Sequence, residues 1–140
     1  MIVQGLPEFI ADTDASAHLP FSIETMGADF FKPQPIQGAK AYFLRRTMHD
    51  LGDHEYKFFL RNILQSMNND SRTLINELVL PDEGYKRRMA LNDLVMLTFG
   101  GMERSQSQWG TLLQEVGFKI KRICRKSGEN LSVIEAVLTT

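Results

Sequence analysis

The sequence predicts an α/β domain with a largely parallel sheet, and three observations carry that prediction. Short apolar runs at 41–44 and 73–80 alternate with segments of helical periodicity. The last quarter breaks the alternation with two strand-like runs, 118–124 and 131–138, around an SGEN turn, as in an antiparallel hairpin. The length of 140 residues suits one domain spanning 1–140, enough to bury roughly two-thirds of its unfolded surface.

Taken in order, residues 1–6 open like a strand with Ile2 and Val3, and Pro7 ends it. Residues 8–15 read as a short helix carrying Phe9 and Ile10, and 21–28 as a second strand closing at Asp29-Phe30-Phe31. The KPQPIQG segment holds two prolines and a glycine, so it is a loop into a central strand at 40–44. The spacing of Tyr56, Phe59, Leu60, Ile63, Leu64 and Met67 predicts a helix over 53–68 with one apolar face. Asp53 is its expected N-cap, and Glu55 suits the positive end of the helix dipole. Residues 73–80 read as a buried strand interrupted by Asn76 and Glu77, and PDEG after it as a turn. Leu91, Leu94, Val95, Met96 and Leu97 make 85–99 apolar over much of its circumference, which predicts a helix that is buried or lines a pocket. Gly100-Gly101 terminates it. Ser105 and Gln108 form a capping box for a helix with Trp109, Leu112, Leu113 and Val116 on one face, closed by Gly117.

Hydrophobic residues make up 43% and charged residues 24%, a globular balance rather than a disordered or membrane one. A net charge of −1 gives no ground for nucleic acid or an anionic membrane as the main partner. The cluster Lys119, Lys121, Arg122, Arg125, Lys126 is explained by a solvated edge strand. Cys124 stands alone, which excludes an intramolecular disulfide and fits a reducing compartment. No run approaches the ~20 apolar residues of a membrane span, and the start lacks a signal-peptide pattern. A cytoplasmic location is the expectation.

The chemistry gathers on AKAYFLRRTMHD, residues 39–50, where an apolar strand runs into Arg45, Arg46, His49 and Asp50. Ligands of open α/β sheets bind outside the carboxyl ends of the strands. A histidine there is a natural proton acceptor near neutral pH. Glu77, late in the next strand, reaches the same sheet edge, and Glu103 follows the Gly-Gly break and can reach back over it. Carboxylates beside an imidazole favour its protonated form, the design for taking a proton from a weakly acidic hydroxyl. The alternative for Glu77 is a buried ion pair with Arg45 or Arg46, since an unpaired buried carboxylate is costly. The run HDLGDHE has metal-ligand residue types. His54 and Glu55, however, fall in the first turn of an amphipathic helix facing solvent, so no metal site is expected. Met26, Met48, Met89, Met96, Met102 and Trp109 read as core or pocket lining. There is no Gly-x-Ser-x-Gly elbow, phosphate-binding glycine loop or Cys-x-x-Cys.

Three separated segments, FLRRTMHDLGD, SRTLINELVLPDEG and LTFGGMERSQSQWGTLLQEVGFKI, together resemble plant and fungal S-adenosylmethionine-dependent O-methyltransferases of the caffeate/flavonoid type. The fungal secondary-metabolism members are the nearer likeness. The resemblance implies His49 as the base that deprotonates an acceptor hydroxyl, with Glu77 and Glu103 in support. It also implies that Asp29, Phe30 and Arg45 contact the S-adenosyl-L-methionine cofactor, and that Asp50 and Met96 contact a small aromatic or polyketide-type acceptor. Gly5 falls at the cofactor-ribose position, where the family usually carries an acidic residue. The likeness begins after the family's glycine-rich loop. The expected fold is therefore a partial Rossmann-like methyltransferase sheet, the C-terminal portion of a catalytic domain, lacking the first strand. The resemblance implies no counterpart of the family's dimerisation domain within residues 1–140, and exposed strand edges make self-association an expectation. Two other readings stand beside this one: an inactive remnant that at most binds a partner, and a metal-dependent hydrolase built on HDLGDHE.

Overall fold

A computed structural model describes residues 1–12, 20, 22–84, 87–98, 100–125 and 131–139. Strands β1 (Ile2–Gly5) and β2 (Glu24–Gly27) pair in parallel, with Gly5 opposite Gly27. Helix α1 (Pro7–Asp12) follows β1, and Pro7 opens it because a fixed φ and a missing N–H suit the first helical position. A second sheet has the order β3 (Ala41–Arg45), β4 (Arg72–Leu80), β7 (Leu131–Leu138), β6 (Phe118–Arg125). The two-residue β5 (Arg104–Ser105) lies beside the end of β4. β3 and β5 run parallel to β4, whereas β7 pairs antiparallel with both β4 and β6.

Among the described residues β1 and β3 do not pair, so the sheet is interrupted where the resemblance omits a strand. Loop 28–38 joins the two parts. Gln4 and Gln34 exchange reciprocal amide hydrogen bonds of 2.8 and 3.0 Å. The Phe30 ring sits 5.4 Å from that of Phe59, and the Phe30 carbonyl accepts from Asn62 Nδ2. The Tyr42 hydroxyl lies 2.9 Å from the Ile36 carbonyl and 2.8 Å from that of Ser66.

Helices α2 (Asp53–Ser66), α3 (Arg87–Thr98) and α4 (Gln106–Val116) complete the described fold. The buried faces of α2 (Tyr56, Phe59, Leu60, Ile63) and α4 (Trp109, Leu112, Leu113, Val116) share one core with Tyr42, Ile75, Ile134 and Ala136 of the sheet. Each leucine, isoleucine, valine and phenylalanine among them contributes about 1.5–3 kcal/mol relative to exposure. Tyr56 and Trp109 meet edge to face at 5.5 Å, an arrangement worth about 0.5–1.5 kcal/mol more. The capping box at Ser105 and Gln108 forms as the sequence predicts, and Gly117 closes α4 at φ 107°. β6 lies at the sheet edge, as its exposed basic residues required, and Arg122 and Lys121 both pair with Glu135.

Several elements differ from the sequence reading. The strand expected over 21–28 is confined to β2, and residue 21 lies outside the described set, as do 13–15 of the first helix. The SGEN turn, Lys126, and residues 85, 86 and 99 of the third helix also lie outside it. Asp53 is not the N-cap of α2; Gly52 holds that place without a side-chain cap, and the Asp53 carboxylate serves Arg104 instead. The larger correction concerns α3. Leu91, Leu94, Val95 and Leu97 are 51, 58, 51 and 66% exposed, so the helix is not buried. Its apolar composition reports a surface without saying what covers it. The pocket-lining part of that expectation holds, because Ala90, Asp93, Leu94 and Leu97 edge an open cleft of about 340 Å³ with Met102, Glu103 and Gln108.

Candidate active site

The chain leaves β3 through Arg46, a non-glycine residue in the left-handed region at φ 47° whose N–H bonds the Asn76 carbonyl. Such a conformation persists only where the surroundings determine it. The turn it makes delivers Thr47, Met48 and His49 to the carboxyl end of β4. There Glu77, fully buried, accepts the Thr47 and Met48 amides on Oε1 at 2.9 Å each. Its other oxygen lies 3.2 Å from His49 Nδ1. By angle that contact is not an aligned hydrogen bond, and both atoms are buried with no hydrogen-bond partner among the described residues. Glu103 Oε1 stands 3.9 Å from the same nitrogen, and Asp50 Oδ1 lies 3.4 Å from Nε2 on the exposed side. His49 itself is 5% exposed.

His49, Glu77 and Glu103, singled out from sequence, thus come together from three parts of the chain, with Glu77 of β4 and Glu103 of the 100–103 loop facing the imidazole on the turn after β3. The ion pair of Glu77 with Arg45 or Arg46 does not form; backbone amides and the ring take its place. Asp93 was missed in the sequence, where it looked like an ordinary polar position on α3. Its Oδ1 accepts the Glu103 amide at 2.9 Å and anchors the Gly-Gly loop to the helix.

The other expected positions are placed as follows. Asp29 and Phe30 follow β2, beside Gly5 at the end of β1, on the carboxyl edge of the first sheet. Asp29 Oδ1 accepts the Phe31 amide at 2.9 Å, and Oδ2 lies 3.9 Å from exposed Lys32 Nζ. Arg45 is exposed at the end of β3. Met96 is half-buried on α3 and is not one of the side chains lining the cleft, whereas Glu103 lines it. Of HDLGDHE, His54 and Glu55 are exposed, and among the described residues no group of three His, Cys, Asp or Glu side chains is placed to hold a metal ion.

A family model described as an O-methyltransferase domain matches residues 1–119. The chain belongs to the O-methyltransferase domain family. Demethylsterigmatocystin 6-O-methyltransferase of Aspergillus parasiticus is 39% identical over 86% of this O-methyltransferase domain and 30% of its own length. LepI, solved in complex with SAM, superposes with a TM-score of 0.90 at 34% identity, over 98% of this chain and 36% of that one. OxaC, solved with SAH and oxaline, gives 0.89 at 36% identity, over 98% and 35%. The chain spans about a third of the length of the first curated relatives it matches.

Burial raises the Glu103 pKa above its ordinary value; His49 draws it down, and Glu77 pushes it up again. A raised folded-state pKa means that the folded domain binds the proton more tightly than the unfolded chain. Glu103 therefore favours folding fully below the unfolded carboxyl value, and that contribution is lost as pH rises toward the folded value. Glu103→Gln removes the titration. Its melting temperature relative to the parent should climb from about pH 4.5 upward and then level off. Thermal melts of both proteins across pH 3.5–8 check this, and a constant difference would contradict it.

Proposed function

We propose that these residues carry S-adenosylmethionine-dependent methyl transfer to a hydroxyl of a small aromatic or polyketide-type acceptor, with His49 as general base. One observation supports the reading above all: a buried imidazole whose Nδ1 faces two buried carboxyl groups and whose Nε2 faces the exposed Asp50 carboxylate. When bound, S-adenosylmethionine supplies an electrophilic methyl group. Nε2 is the nitrogen left to take the hydroxyl proton, because Nδ1 is enclosed. Glu77 and Glu103 lie where they offset the charge the ring gains on accepting it. Asp50 and the cleft side chains Leu94, Leu97 and Met102 would hold the acceptor ring.

The cofactor fit is uneven. Half-buried Asp29 and Phe30 suit the adenine, a hydrogen-bonding edge beside an aromatic face, and exposed Arg45 suits a neighbouring polar contact. Gly5 offers no carboxylate to the ribose diol. That gap favours a second reading, a domain that retains the fold without turning over. Transfer of labelled methyl from S-adenosylmethionine to a panel of phenols separates the two. Transfer supports the first reading; neither transfer nor cofactor binding at millimolar concentration supports the second.

Gly5→Asp tests the cofactor placement directly. A Cβ there would meet Ile10 Cδ1 at 3.3 Å and Cγ1 at 3.5 Å, so the substitution asks only a small shift of the end of that side chain. A charged hydrogen bond contributes about 1.5–3 kcal/mol, so affinity should rise about tenfold or more. Isothermal titration checks it, and an unchanged Kd would place the ribose elsewhere.

A further inference from the structure

Arg104 carries a permanent charge, yet it is 2% exposed. A guanidinium is tolerated in such a place only when its donors are met in their fixed planar geometry. β5 holds its backbone against Val79 of β4. From there the side chain reaches across to the segment that carries His49. Nη1 donates to the Met48 carbonyl at 3.1 Å and Nη2 to the Leu51 carbonyl at 2.9 Å. Nε and Nη2 both donate to Asp53 Oδ1, at 3.0 and 2.8 Å. The rings of Tyr56 and Trp109 lie 5.2 and 5.5 Å from the guanidinium carbon, a cation–π arrangement on both.

The contacts bracket the histidine. Arg104 takes the carbonyls at Met48 and Leu51, one before and two after it. The Met102 amide donates to the His49 carbonyl at 2.9 Å from the same short stretch of chain. Glu77 takes the Thr47 and Met48 amides from the opposite side. Backbone on both sides of His49 is thereby tied to residues 102–104, which also carry Glu103. We infer that Arg104 is a positioning residue: its fork fixes the 48–51 turn so that His49 Nδ1 meets Glu77 and Glu103. Its relevance to turnover rests on the reading of His49 as base, but the geometry it imposes does not.

Lysine at 104 keeps the charge and loses the fork, since one ammonium cannot meet both carbonyls and Asp53 in that arrangement. Amide hydrogen exchange of the full chain, read by NMR, separates positioning from bulk stability. In Arg104→Lys the Thr47, Met48 and Met102 amides should exchange about tenfold faster, while amides of the β4–β7 ladder change less than about twofold. Should the lysine variant fail to fold, Asp53→Ala gives a second test. Its side chain is 56% exposed, and its loss takes the acceptor from Nε and one of two from Nη2 while the Met48 and Leu51 carbonyls keep their donors. A smaller acceleration, about threefold, is then expected at the same amides. Acceleration shared equally with the ladder, or none at the three amides, would overturn the proposal in either variant. The readout needs no turnover, so failure here leaves the base assignment to its own assay.

Discussion

On the proposed reading, replacing His49 by alanine is expected to lower methyl transfer by about 10²–10⁴-fold, the contribution of a positioned general base. Cofactor affinity should change little, because Asp29 and Phe30 sit beyond the end of β2 and not on the 47–52 turn. Some stability should be lost with the rate, since the ring is what the buried Glu77 Oε2 faces at 3.2 Å, and a thermal melt of the variant separates the two effects. Glu77→Gln should cost less. The amide oxygen can still accept from Thr47 and Met48, while the side facing Nδ1 loses its charge. Initial rates with labelled cofactor, set beside titration of the same variants, give the split. Near-native transfer by His49→Ala would remove His49 from the chemistry.

Gly101→Ala is expected to be the most damaging alanine substitution among the described glycines. A Cβ at that position would lie 2.0 Å from the His49 carbonyl oxygen, 3.0 Å from its carbon and 3.2 Å from Asp50 Cα, all of them backbone. No side chain can swing away, so the 100–103 loop must retreat. That motion breaks the bond from the Met102 amide to His49 and carries Glu103 off the imidazole. A loss of roughly 3 kcal/mol belongs to this class of backbone clash. For a chain of this size it lowers Tm by about 10 °C. Gly110 is the matched comparison. It lies inside α4, and a Cβ added there would meet nothing within 4 Å, so Gly110→Ala should stabilise by about 1 kcal/mol. Calorimetry of the pair decides it, and a Gly101→Ala protein melting with the parent would show that the contact yields cheaply.

Much of the site was legible because chemistry and periodicity coincide there. A polar burst at the end of an apolar strand placed His49, and a carboxylate inside the next strand placed Glu77. Their meeting at 3.2 Å follows from two adjacent parallel strands ending at one edge. The capping box at Ser105 was equally local. What the sequence could not disclose depends on partners distant along the chain. Asp53 looks like a cap until Arg104 arrives from the far end of β4. Arg104 looks like a surface residue because nothing in ERSQ announces burial. Gly101 reads as a helix stop, whereas its lack of a side chain answers to a carbonyl on another loop. The apolar stretch of α3 showed affinity for cover without naming the cover, and Leu94 and Leu97 remain open to solvent along a cleft.

Strand β4 also constrains how the gene can change. Thr73, Ile75, Glu77 and Val79 alternate onto one buried face, and the ladder sets Glu77 opposite Ser132 of β7. The acid is therefore an ordinary member of a hydrophobic row, distinguished by its place in the count. A single codon lost between Arg72 and Asn76 would leave the composition almost untouched. It would turn Glu77 to the opposite face and bring Leu78 against the imidazole, because each step along a strand reverses the side chain. Substitutions in this segment can be graded by size and polarity; insertions and deletions cannot. Variation among descendants of this gene should thus accumulate as changes of letter within 72–77 and not as changes of length.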